Sequence, residues 1–197
     1  MNLPNRLTLL RIVLIPVIIL LWIFPYSSFG FEPIVFQIGA VSLSAVRLAV
    51  TAAFGIAVLT DVLDGWLARS RNMMTTFGKF ADPIADRLLY TVMFLLFVND
   101  GLISLVPVFI MIARDAVEDG CRIVASANEK EVHAGTMGKL KNILQRITIV
   151  LILLNNLPFE LWGLPVSGVL LWFTAFVSFV SGVQYFNQMK EDILESR

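Results

Sequence analysis

Four aspartates fall within one stretch of the chain, DVLDGWLARSRNMMTTFGKFADPIAD, which runs from Asp61 to Asp86. Asp61 and Asp64 are three residues apart and Asp82 and Asp86 four apart, so on helices each pair shares a face. A hairpin of the two helices would bring all four carboxylates together. Ionised carboxylates crowded where water is scarce repel one another unless cations sit among them. Divalent metal is the simplest such cation. An oxygen-only donor set of this density suits Mg²⁺ or Mn²⁺ and has room for two ions. Paired hard cations suit phosphoryl transfer, because they neutralise charge on the phosphate and on the leaving oxygen.

The elements that must position these acids are membrane helices. The chain has 197 residues, 57% hydrophobic and 15% charged, with a mean hydropathy of +0.80. No single water-soluble core hides that much apolar surface. Each crossing takes about 20 apolar residues, so the length allows six spans and no separate soluble domain. Apolar runs place the spans near 12–26, 41–61, 84–98, 104–121, 142–157 and 164–186. Residues 2–11 are more polar and are expected to form an interfacial helix before the first span. Residues 27–40, 99–101 and 158–163 hold Pro, Gly and Asn and are expected to be turns. The fold class is therefore all-α, a polytopic membrane protein of one domain spanning 1–197. The basic start followed by an apolar run resembles a signal peptide, but no small-residue cleavage site follows it, which implies a retained first helix.

With six spans, 14 of the 15 Lys and Arg residues fall on one side and only Arg47 on the other. That bias places both termini, and the acidic cluster with them, in the cytoplasm. Cys121 is the single cysteine, which argues against a disulfide framework or a thiolate zinc site. His133 sits in a polar connection and reads as solvated.

Gly65 and Gly78 lower helix stability by about 1 kcal/mol each relative to Ala. With Ala68 they either let a ligand approach the backbone or serve helix packing. Arg69, just past Asp64, could grip a diphosphate or simply anchor the topology.

The pattern DxxDGxxAR, eight residues, then GxxxDxxxD resembles the signature of the CDP-alcohol phosphatidyltransferase family at every fixed position: Asp61, Asp64, Gly65, Ala68, Arg69, Gly78, Asp82 and Asp86. Length and span layout extend the resemblance over nearly the whole chain. It implies that Asp61, Asp64, Asp82 and Asp86 bind the metals, that Asp86 is also the general base, and that Gly65, Ala68, Arg69 and Gly78 form the CDP pocket. A homodimer is implied as well. The opening Pro4-Asn5-Arg6-Leu7-Thr8-Leu9-Leu10-Arg11 is similar to that of the family's bacterial phosphatidylglycerophosphate synthase branch, which places Asn5, Thr8 and Arg11 at the nucleotide end of the site.

Arg114, Arg122, Lys139 and Lys141 resemble the segments with which glycerophosphate-using members hold the acceptor phosphate. Positive-inside anchoring is the plain alternative. Asp115, Asn142 and Arg87 depart from the common Glu, Thr and Lys of that branch. The expected reaction moves the phosphatidyl group of CDP-diacylglycerol to sn-glycerol 3-phosphate, giving phosphatidylglycerophosphate and CMP at the inner membrane. The same chemistry with phosphatidylglycerol, inositol phosphate or serine is the alternative. A divalent-cation transporter is a remote one, since the acids lie at one end of the spans rather than at the midplane.

Overall fold

The structure is a computed structural model that describes residues 3–39, 41–70, 76–127 and 136–194, without the side chains of 3, 4, 66–70, 76, 77, 79, 126, 127, 189 and 191–194. His133 and the side chains of Ala68 and Arg69 lie outside the described residues. Six helices carry the fold: α1 (Leu3–Ile23), α2 (Ala45–Ser70), α3 (Thr76–Asn99), α4 (Leu105–Ala127), α5 (Thr136–Leu153) and α6 (Val166–Leu194). Helix α1 packs on α2 and α3, α6 packs on α4 and α5, and α3 and α5 join the two halves. The apolar core runs between them through Ile18, Phe54, Leu89, Met93, Phe97, Ile149 and Leu153.

The separate interfacial helix expected over residues 2–11 does not exist among the described residues. Helix α1 is continuous from Leu3 and carries Pro16 inside it. The reason lies in its buried face. Asn5, Thr8, Arg11, Ile15 and Ile18 are all buried, and their spacing of three or four makes one stripe. The polar half of that stripe faces protein rather than membrane surface.

The connection expected to be a plain turn over 27–40 holds a short antiparallel hairpin, β1 (Val35–Ile38) and β2 (Val41–Ser44), so the fold is not purely helical. β-Branched and aromatic residues favour the extended chain there, and Ile38 pairs with Val41 across the turn. Gly39 has φ +62°, and a Cβ on it would lie 2.9 Å from Leu161 Cδ2, so the hairpin tip packs against the turn at Phe159–Trp162. The Asn155 side-chain amide donates to the Ser42 carbonyl at 2.9 Å, and Arg47 donates to Asn155 Oδ1. These bonds tie the hairpin and the first turn of α2 to the turn that follows α5.

Among the described residues three helices, where six spans were expected, are long and apolar enough to cross a membrane: Asn5–Ile23, Ala45–Gly65 and Val166–Gln188. Charged residues of the site lie on α3, α4 and α5 as well as on the first two of these spans, which hold Arg11, Asp61 and Asp64. Much of the outer surface is apolar, with Leu20, Phe80, Ile123 and Phe176 each more than 60% exposed. Polar side chains such as Arg11, Thr148, Thr174 and Ser178 are buried. That inversion of the soluble pattern marks a membrane protein.

Candidate active site

Asp61 and Asp64 sit in the last third of α2, Asp82 and Asp86 near the start of α3, and the two helices run oppositely. Two arginines bridge these acids in pairs and a threonine holds Asp82, so the acids neighbour one another without closing on a single point. Arg11 of α1 is fully buried and places Nη2 2.6 Å from Asp64 Oδ2 and Nη1 3.2 Å from Asp61 Oδ1. Thr8, one turn earlier, donates its hydroxyl to Asp82 Oδ1 at 2.5 Å. Arg146 of α5 closes the other side. Its Nη2 lies 2.5 Å from Asp61 Oδ2 and 3.4 Å from Asp86 Oδ2, and its Nε donates to the Tyr90 hydroxyl at 2.6 Å. Tyr90 in turn donates to Asp86 Oδ1 at 3.1 Å.

The acids are therefore held as bridged pairs. No group of three described carboxylates stands close enough together to enclose an ion. Four carboxylates against two guanidiniums leave two formal negative charges in the cluster. In a poorly solvated place that residue of charge attracts a further cation.

Beside Asp86 lies a cavity of about 220 Å³, lined by Asp86, Arg87, Tyr90, Asp115, Glu118, Arg122, Lys141 and Gln145 among others. Three cations face it. Lys141 is buried, and its ammonium lies 2.6 Å from Asp115 Oδ1. Burial pulls that ammonium below its ordinary pKa, and the Asp115 carboxylate opposes the shift. Glu118 is buried and holds three arginines: Arg122 at 2.7 Å, Arg87 at 3.7 Å, and Arg114.

The expected phosphate-binding residues thus part company. Arg122 and Lys141 reach the cavity. Lys139 is exposed on α5. Arg114 is buried, donates to Ser181 Oγ at 2.8 Å and to Asp115 at 3.0 Å, and borders an apolar groove between α4 and α6. Asn5 and Thr8 are buried on α1, and Gly65 and Gly78 sit at the facing ends of α2 and α3.

Sequence reasoning did not assign Arg146, Tyr90 or Glu118. A signal for Arg146 existed: it is an ionisable residue inside the apolar run 142–157, and such residues mark function or pairing in membrane proteins. The opposite end of the bundle carries its own polar set, in which Trp22 donates to Asp100 at 2.8 Å and the Arg47 guanidinium lies 5.8 Å from the Trp22 ring centre.

Fold and site together define a helical membrane protein with a carboxylate cluster at one end of its bundle, beside a cavity lined by both cations and carboxylates. The pattern of the CDP-alcohol phosphatidyltransferase family matches residues 1–180, and the chain belongs to that family. Among its relatives is a Bacillus subtilis (strain 168) protein named CDP-diacylglycerol–glycerol-3-phosphate 3-phosphatidyltransferase, 37% identical over 99% of this chain and 98% of that one. Proteins of the same name from Rickettsia bellii and Salmonella choleraesuis are 31% and 29% identical, covering 96% and 98% of this chain and the same shares of their own.

Proposed function

We propose that the chain transfers the phosphatidyl group of CDP-diacylglycerol to the hydroxyl of sn-glycerol 3-phosphate, releasing CMP and forming phosphatidylglycerophosphate. The supporting observation is the adjacency of Asp86 to a cavity whose lining includes the cations Lys141, Arg122 and Arg87, together with the carboxylates of Asp115 and Glu118. A small dianionic acceptor seated on those cations has its free hydroxyl beside a carboxylate. The relatives that bear the glycerol-3-phosphate name over nearly their whole length favour this acceptor over phosphatidylglycerol, inositol phosphate or serine.

In this reading Asp86 accepts the hydroxyl proton while Tyr90 orients the carboxylate. The freed oxygen forms a bond to the lipid-side phosphorus, and the bond from that phosphorus to the CMP oxygen breaks. Arg69 and the ends of α2 and α3 at Gly65, Ala68 and Gly78 take the CDP moiety, with Asn5 and Thr8 on α1 at its nucleotide end.

The donor set fits hard divalent ions: carboxylate oxygens of Asp61, Asp64, Asp82 and Asp86, still in charge excess over Arg11 and Arg146. Mg²⁺ or Mn²⁺ bound there, one ion or two, supplies positive charge against the diphosphate. The acyl chains stay in the bilayer throughout, which suits a site at the end of the bundle. The basic bias of that end in a six-span layout supports a cytoplasmic orientation of the site and both termini at the inner membrane. Family resemblance carries a homodimer with it.

Purified protein supplied with both substrates and Mg²⁺ is expected to release CMP. Asp86→Asn lowers the rate by about 10²–10⁴-fold, and chelator stops it. CMP release indifferent to Asp86→Asn and to chelator refutes the proposal.

A further inference from the structure

Two guanidiniums serve the carboxylate cluster, and their surroundings differ. The Arg11 side chain is 0% exposed and locked between α1 and α2, whereas the Arg146 side chain is 26% exposed and reaches in from the edge. Arg146 touches Asp61 from α2 and Asp86 from α3 with one nitrogen. It therefore spans two acids that belong to different aspartate pairs and relieves the repulsion between them. Its Nε anchor, the Tyr90 hydroxyl, also borders the 220 Å³ cavity, as does Asp86. A guanidinium released from the acids has a polar space to enter next to where it now lies.

We propose that Arg146 is a resident counter-ion that competes with the divalent metal for Asp61 and Asp86. In the metal-free protein it holds α2 and α3 in register through these two carboxylates. Metal binding requires its guanidinium to withdraw toward the cavity, so the arginine weakens metal binding while stabilising the empty site. The inference rests on the metal-dependent reading of the site. The support is spatial: Arg146 Nη2 lies 2.5 Å from Asp61 Oδ2 and 3.4 Å from Asp86 Oδ2, so an ion bridging those two oxygens would have to take its place. Arg11 takes no part in the exchange, because nothing around it is open.

The test is direct Mn²⁺ binding to the full chain in detergent, followed by the electron spin resonance of free Mn²⁺, with thermal unfolding measured in chelator alongside. Arg146→Met is expected to bind Mn²⁺ at least about fivefold tighter than the wild type, the low end of ordinary site coupling, and to unfold at lower temperature in chelator. This opposite movement separates competition from a merely structural role, in which both quantities would worsen. Arg146→Lys keeps the charge but loses the Tyr90 bond and the planar fork, and it falls between the two. Tyr90→Phe removes the Nε anchor, leaves all charges in place and also tightens Mn²⁺ binding; with Arg146→Lys it carries the test should Arg146→Met fail to fold. Equal or weaker Mn²⁺ binding by the Arg146 and Tyr90 variants overturns the competition. Absence of Mn²⁺ binding in the wild type and every variant overturns the metal reading itself.

Discussion

Replacing Arg11 by Met tests whether the bundle depends on the buried charge pair that joins α1 to α2. Arg11 is wholly enclosed and the Asp64 side chain is 4% exposed, with 2.6 Å between their charged atoms. Removing one partner of such a pair strands the other charge, at a cost of about 3–5 kcal/mol. For a chain of this size that lowers Tm by roughly 6–20 °C. Asp61 suffers less, because it is 21% exposed and retains Arg146 at 2.5 Å. The loss should therefore trace to Asp64, and Arg11→Met combined with Asp64→Asn should recover more than half of it, since no buried charge is then left unpaired. The assay is thermal unfolding of the wild type, the single variant and the double variant in one detergent with chelator present, so that metal cannot stand in for the guanidinium. A single variant as stable as the wild type, or a double variant no better than the single one, would refute the argument.

Lys141→Ala should raise the KM for sn-glycerol 3-phosphate by about tenfold, the loss of one charge-assisted hydrogen bond. Lys139→Ala should leave it about unchanged, because Lys139 is exposed while Lys141 lines the cavity; steady-state kinetics on both variants decides. Gly182→Ala should destabilise the α4–α6 pairing by about 1–3 kcal/mol, since a Cβ there would lie 2.8 Å from Arg114 Cγ. Unfolding temperature reads this out, with Gly168→Ala, which meets nothing within 4 Å, as the control.

Much of the site could be read from spacing, because spacing on a helix is a local property. The intervals Asp61 to Asp64 and Asp82 to Asp86 put each pair on one face wherever the helices go. Apolar runs overlapped all six helices but matched only half of their twelve ends to within four residues, because the polar turns that carry the site extend the helices beyond the apolar runs. The start of α1 was misjudged for a physical reason. A polar amphipathic segment at a membrane protein's N-terminus looks the same whether its polar face meets lipid headgroups or buried aspartates. The hairpin at 35–44 escaped notice because its four-residue strands are too short to show a period against neighbouring apolar runs.

The sequence alone determined the type of chemistry and the residues able to perform it: four carboxylates at helical spacing, a membrane-sized apolar content, and the family signature. Tertiary structure alone decided which cation meets which acid. Arg146 and Asp61 are 85 positions apart and Arg11 and Asp64 53 apart, and no local rule couples residues at such distances. Their pairing depends on how α1 and α5 dock against α2 and α3. Docking likewise sent Lys141 into the cavity and Arg114 to the α6 interface, although both lie in basic segments of the same apparent kind. Side-chain charge is written residue by residue, whereas the partner that balances it is chosen by packing.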